Sequence, residues 1–190
     1  MPLPLNKQTA VITGAGSAEG IGYAVARRMR AAGVRVVITS TTDRIHTRAR
    51  ELDAGGDAVL SFVADLTVET EVQRLVDSVL SRLGRIDILV NNAGMAQTGR
   101  AMETKPLIET SFAEWQNQIA ITVHTAFRMT RAVLPSMTQQ KYGRIVNVTS
   151  VTGPLVSNPG SAAYGAAKAA MDGMMRAVAI ETAPDGITIN

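Results

Sequence analysis

The chain has 190 residues, 46% hydrophobic and 18% charged, the make-up of one globular domain with a sizeable core rather than a disordered or fibrous chain. Its net charge of +3 comes from scattered residues such as Arg27-Arg28 and Arg48 to Arg50, with no dense basic block or interleaved aromatics, which argues against a nucleic-acid partner. The lack of cysteine excludes disulfides, thiol nucleophiles and thiolate metal sites, and no window resembles a leader or a membrane span, so a cytoplasmic chain with no membrane partner is expected.

Short β-rich apolar runs alternate with longer segments of helical period, the pattern of repeated βαβ units. The first run, Thr9 to Thr13, leads through glycines into a helix over Gly20 to Ala32, where Ile21, Val25 and Met29 recur at helical spacing before Gly33. The second, Val34 to Thr39, precedes a polar turn and a short helix over Asp43 to Leu52. The third, Ala58 to Ala64, ends at Asp65-Leu66-Thr67. There Thr67 is placed to cap a helix carrying Val68, Val72, Leu75, Val76, Val79 and Leu83 on one face. The fourth strand is Ile86 to Val90.

Met95 to Thr110 reads as a polar connection with Gly99 and Pro106, where Arg100 and Lys105 read as solvated charges. A long helix follows from Ser111 to Met137, with a kink expected at Pro135. The fifth strand is Arg144 to Thr149, Pro154 to Gly160 is a loop, Ala162 to Thr182 is an Ala- and Met-rich helix, and Gly186 to Asn190 begins a sixth strand. No repeat or linker divides the chain, so residues 1–190 read as a single α/β domain built on a parallel sheet.

The segment Gly14-Ala15-Gly16-Ser17-Ala18-Glu19-Gly20-Ile21-Gly22 joins the first strand to the first helix. Glycines let the backbone approach a pyrophosphate, and the free N–H groups and dipole at the helix start stabilise its charge. No Gly-Lys-Ser/Thr ending is present, which disfavours a triphosphate P-loop. The segment resembles the short-chain dehydrogenase/reductase motif of Thr-Gly, three residues and Gly-Ile-Gly. It departs in length, because five residues separate Gly14 from Gly20. Glu19, in this lengthened stretch, either brings a negative charge near the phosphates or points to solvent.

The resemblance implies a Rossmann-like doubly wound sheet with helices on both faces and a nicotinamide dinucleotide held by Gly14, Gly16, Ser17, Gly20, Ile21 and Gly22. Further candidates for that role are Asp65 and Leu66 after the third strand and Asn91, Ala93 and Gly94 of the Asn-Asn-Ala-Gly motif after the fourth. An acidic residue ending the second strand selects NAD through the ribose hydroxyls. Here Ser40 holds that place, and with Thr41 and Arg44 it favours the 2′-phosphate of NADP. Asp43 keeps NAD(H) open, its other role being to cap the following helix.

Tyr164 and Lys168 are four residues apart in a helical segment, so they share one face. A phenol with a pKa near ~10 is a poor acid or base at neutral pH, and a nearby ammonium favours the phenolate. Ser150, ending the fifth strand, can hydrogen-bond a substrate oxygen as charge develops, with Thr149 as a neighbouring alternative. The family pattern of serine then Tyr-x-x-x-Lys is matched by Ser150, Tyr164 and Lys168. The family's helical Asn falls on Thr122, whose hydroxyl is expected to hold a water linked to the lysine.

A serine hydrolase is disfavoured, because Gly-x-Ser-x-Gly is absent and neither His46 nor His124 has an evident route to Ser150. The histidines also lack carboxylates at ligand spacing, so no metal is expected. The resemblance is strongest to 3-oxoacyl-(acyl-carrier-protein) reductase-type ketoreductases. It implies hydride transfer between NADP(H), or NAD(H), and a small-molecule ketone or secondary alcohol, a 3-oxoacyl thioester among the substrates. It also implies a homodimer or homotetramer built on the two long helices. The family pattern runs on for some ~60 residues, so the chain reads as C-terminally short. The alternative is a catalytically weak or inactive dinucleotide-binding or scaffolding member of the same fold.

Overall fold

A computed structural model describes residues 3–56, 58–94 and 104–190. The expectations for Met95, Gly99 and Arg100 fall outside these residues. Six apolar runs become strands: β1 (Thr9–Ile12), β2 (Arg35–Ser40), β3 (Val59–Val63), β4 (Ile88–Asn91), β5 (Gly143–Asn147) and β6 (Ile187–Ile189). All pair in parallel in the order β3-β2-β1-β4-β5-β6. β1 and β4 are buried throughout, as a central parallel strand covered on both faces requires. Alternation splits each between two cores: Val11, Val37 and Leu89 face one side, and Ala10, Ile12, Val36, Ile38 and Val90 the other.

Helices α1 (Ile21–Ala31) and α2 (Arg44–Leu52) bury Ala26, Ile45 and Ala49 against the second core. On the other face α3 (Glu69–Leu83) contributes Val72, Leu75, Val76 and Val79, and α5 (Thr125–Gln140) contributes Met129, Val133 and Met137. Between α3 and α5 in the chain comes α4 (Phe112–Ile119), and α6 (Ala162–Thr182) spans the residues its periodicity predicts. The doubly wound α/β sheet with helices on both faces is therefore the observed fold. No helix among the described residues is long and apolar enough to cross a membrane.

Several local expectations are corrected. Thr67 does not cap α3, whose N-cap is Val68; its N–H and hydroxyl are taken by the Asp65 carboxylate at 2.9 and 2.7 Å, closing a turn before the helix starts. Asp43 precedes α2 but makes no side-chain cap, since its own backbone is already helical. Val25 and Met29 pack on the core, whereas Ile21 is exposed, because Gly22, Tyr23 and Ala26 carry the buried face of α1. The long helix is not continuous. A capping box between Ser111 and Glu114 starts α4, a π-type turn over Ala120–His124 interrupts it, and α5 carries Pro135 inside and ends only at Lys141 in the left-handed region.

Candidate cofactor and catalytic site

The strand order reverses between β1 and β4, and the crevice at the carboxyl ends of the strands at such a switch point is where open parallel sheets bind ligands. The loop after β1 enters that crevice. Gly14 has φ +68°, and a Cβ on it would lie 2.9 Å from Ala93 Cα; a Cβ on Gly22 would lie 2.6 Å from Asn92 Nδ2. Backbone bareness here lets the loop lie against the segment after β4. Two residues that sequence reasoning left out fasten the pair. The Asn92 amide donates to Thr13 O at 3.0 Å and Gly14 O at 3.1 Å, and the Thr13 hydroxyl accepts from the N–H groups of Asn92 and Ala93 at 2.9 and 3.0 Å.

The lengthened part of the loop is a turn, Ser17-Ala18-Glu19-Gly20, closed by the Gly20 N–H on Ser17 O at 3.2 Å, and Ser17, Ala18 and Glu19 are exposed. The Glu19 carboxylate therefore points to solvent. Gly20 is the N-cap of α1 and offers no side-chain cap, so the first N–H groups of the helix lack a side-chain partner. An anion-bearing dinucleotide fits this arrangement: bare loop backbone leads to an uncapped helix start, with Ile21 exposed at the mouth.

A Cβ on Gly16 would meet the Ser40 side chain at 2.8 Å, so loop and β2 touch directly. The Ser40 hydroxyl is turned into its own loop, donating to Thr42 O at 2.9 Å, next to Thr41. Arg44 is exposed, its Nε donating to the Thr42 hydroxyl at 3.1 Å. Asp65 spends Oδ1 on Thr67, and Leu66 is buried in the core beside Val72, so its side chain is not at the crevice. Asn91 is likewise buried, its amide donating to Thr130 Oγ1 at 3.0 Å and Asn147 Oδ1 at 2.9 Å. These bonds tie β4 to α5 and β5, while Asn92 faces the glycine loop.

Lys168 is only 4% exposed, and its Nζ donates to Val148 O at 2.7 Å, at the carboxyl end of β5. That nitrogen lies 5.8 Å from the centre of the Tyr164 ring, as the four-residue spacing predicts. Burial lowers the lysine pKa, and Asp172, four residues on, acts in the opposite direction. Ser150 accepts a bond from Thr152 N at 3.1 Å and lines a cleft of about 680 Å³ against the Ala169, Asp172 and Arg176 face of α6; Tyr164 and Lys168 do not line that cleft. Gly153 has φ +111°, and a Cβ there would lie 2.2 Å from Gly165 O. The loop after β5 is thus seated on the first turn of α6, the helix that carries Tyr164 and Lys168.

Thr122 is fully buried in the π-type turn. Its hydroxyl donates to Gly94 O at 3.0 Å and accepts from Gln118 Nε2 at 2.9 Å. A hydroxyl has one proton, and here it goes to Gly94 O, so a water held by Thr122 near the lysine would meet the remaining lone pair of its oxygen. Gln118 was also missed by sequence reasoning; its position one turn before Thr122 on the same helical face was the available signal.

The short chain dehydrogenase family model matches residues 8–190. A 3-oxoacyl-[acyl-carrier-protein] reductase of Synechocystis is 37% identical over 188 residues, covering 98% of this chain and 72% of that protein. A metagenomic short-chain oxidoreductase solved in complex with NADP superposes with a TM-score of 0.86 at 34% identity, over 97% of this chain and 80% of the other. NAD+-bound xylitol dehydrogenase superposes with a TM-score of 0.88 at 31% identity, over 97% and 68%. The chain spans 63% of the length of a solved short-chain dehydrogenase from Streptomyces avermitilis and 80% of that of the NADP complex.

Proposed function

The chain belongs to the short-chain dehydrogenase family, and from that membership we propose that residues 1–190 act as one dinucleotide-binding and catalytic unit exchanging hydride between a nicotinamide and a ketone or secondary alcohol. The observation that carries this reading is the buried Lys168 ammonium, held by Val148 O and 5.8 Å from the Tyr164 ring. When bound, the nicotinamide supplies or accepts the hydride. Gly14, Gly16, Ser17, Gly20, Ile21 and Gly22 would hold the pyrophosphate side, with Asp65, Ala93 and Gly94 along the rest of the crevice and the buried side chains of Leu66 and Asn91 supporting it from the core.

In the reducing direction the Ser150 hydroxyl donates to the carbonyl oxygen as negative charge builds on it. Tyr164 gives its phenolic proton to the same oxygen, and oxidation returns that proton by the reverse path. Val148 O takes one of the three N–H donors of Lys168, leaving two for the phenol oxygen and the nicotinamide ribose. The ammonium stabilises the phenolate that proton transfer leaves behind. Thr122 supports the site from behind, through Gly94.

NADP(H) is the proposed cofactor, because no acidic side chain ends β2 and the exposed Arg44 stands beside Ser40 and Thr41; NAD(H) is the competing choice, with Asp43 on its side. The Synechocystis relative makes a 3-oxoacyl thioester the first substrate class to try. Exposed Phe112 and Phe127 on α4 and α5 support assembly as a homodimer or homotetramer through these helices and α6. A second reading, a weak or inactive dinucleotide-binding scaffold, draws on one observation: the Thr122 hydroxyl is spent within the protein.

The test is nicotinamide absorbance with a panel of ketones, 3-oxoacyl thioesters and secondary alcohols, run with both cofactors beside binding titrations. Turnover with NADPH is expected, and Arg44→Ala should weaken NADPH binding about tenfold while leaving NADH binding unchanged. Binding without any turnover favours the scaffold, and tighter NADH binding that ignores Arg44→Ala removes the NADP assignment.

A further inference from the structure

A glutamine near the end of a helix is ordinarily solvated, because a buried carboxamide costs free energy unless its groups are paired. Gln118 is 8% exposed and takes no part in the chemistry above. Its Nε2 donates to Thr122 Oγ1 at 2.9 Å, and Thr122 donates in turn to Gly94 O at 3.0 Å. The direction is set by chemistry: a carbonyl only accepts, and the hydroxyl has a single proton. The opposite orientation of the carboxamide would draw that proton toward Gln118 and leave Gly94 O without it.

The receiving end of this relay is a tight place. Gly94 leaves β4 with φ +140°, and a Cβ there would lie 3.1 Å from Ile121 O and 3.2 Å from Thr122 Cα, so the chain is pressed onto the π-type turn. In the sheet, β4 stands between β1, whose loop leads to the helix start, and β5, which runs toward Ser150. The backbone at Gly94 therefore lies between the two ends of the candidate site. The α4 helix and the turn also pack on α6, which carries Tyr164 and Lys168.

We propose that Gln118 is a positioning residue: acting through the Thr122 hydroxyl, it holds the Gly94 carbonyl, and with it the backbone leaving β4, in the geometry that receives the nicotinamide side of the cofactor. The inference rests on the dinucleotide-binding reading. It accounts for a threonine at position 122, since a hydroxyl keeps its proton on Gly94 O as long as its other neighbour is not an acceptor competing for it.

Two variants separate this role from packing. Gln118→Leu keeps the volume but removes the donor. Gln118→Glu keeps the shape and makes the donor depend on pH. A protonated glutamic acid donates to Thr122 as the amide does, whereas the carboxylate only accepts and pulls the Thr122 proton off Gly94 O. Burial raises a glutamate above its ordinary pKa of ~4.3. The other titratable groups nearby, Glu114 on α4, His124 in the turn, and Lys168 and Asp172 on α6, are common to all the proteins compared, so only the difference from wild type is read.

The experiment is NADPH binding by fluorescence titration from about pH 5 to pH 9 for wild type, Gln118→Leu and Gln118→Glu, each checked for folding by circular dichroism. Gln118→Leu removes the bond that orients the Thr122 hydroxyl but leaves its proton on Gly94 O, and is expected to bind about twofold to threefold more weakly at every pH. Gln118→Glu should match wild type at the acid end and, as pH rises, fall about fivefold to tenfold, below the leucine variant. If Gln118→Leu fails to fold, the glutamate series decides. Wild-type binding with a Gln118→Glu curve parallel to wild type at all pH values overturns the role of Gln118 alone. Failure of wild type to bind either NADPH or NADH overturns the dinucleotide reading and this proposal together.

Discussion

The turn Ser17–Gly20 and the π-type turn Ala120–His124 both carry departures from the family pattern, the first in length and the second in side chain. At the first, the chain makes an exposed turn closed by one backbone bond, and the Glu19 charge goes to water. Nothing beyond the turn has to change. At the second, Thr122 is fully buried, so its hydroxyl needs partners on both sides and finds them in Gly94 and Gln118. An exposed insertion is absorbed locally, whereas a buried polar replacement depends on a neighbour of matching hydrogen-bonding capacity.

The contrast can be broken at the close approach just after the first turn. Gly22→Ala adds a methyl group 2.6 Å from Asn92 Nδ2 and 2.9 Å from Gly14 O, displacing the amide that joins the glycine loop to the segment after β4. Dinucleotide affinity should fall by about tenfold or more, with about 1–3 kcal/mol lost from folding stability. Titration and chemical denaturation check both, and unchanged affinity would mean that the Asn92 bridge does not shape the crevice. At the other extreme, deleting Ala18 and Glu19 should change affinity by less than about twofold, since only an exposed turn is shortened. A large effect of that deletion would erase the distinction between the two turns.

Much of this architecture was legible in the residues because periodicity is a local property. The span of α6 and the alternation of strands and helices follow from apolar spacing alone, and the strand limits differ by one or two residues where hydrogen bonding, not composition, sets the end. The spacing of Tyr164 and Lys168 likewise gave their shared face. What escaped depends on contacts across the chain. The π-type turn goes with the approach of Gly94 to Ile121 and Thr122, 28 residues away from Thr122 in sequence, and no helical period encodes it. In Asn91-Asn92 the pleat decides which amide faces the glycine loop, and the motif does not say. Thr67 was lost as a cap to Asp65, a competition between two side chains at the same turn.

The central claim is that Tyr164, supported by Ser150 and Lys168, moves the proton that accompanies hydride transfer. It is tested most directly by measuring kcat and NADPH affinity for wild type and Tyr164→Phe on a substrate from the panel that turns over. The account predicts a fall in kcat on the order of a thousandfold with the fold intact and cofactor affinity nearly unchanged, because only one hydroxyl is removed. A Tyr164→Phe protein that keeps its full rate would contradict it.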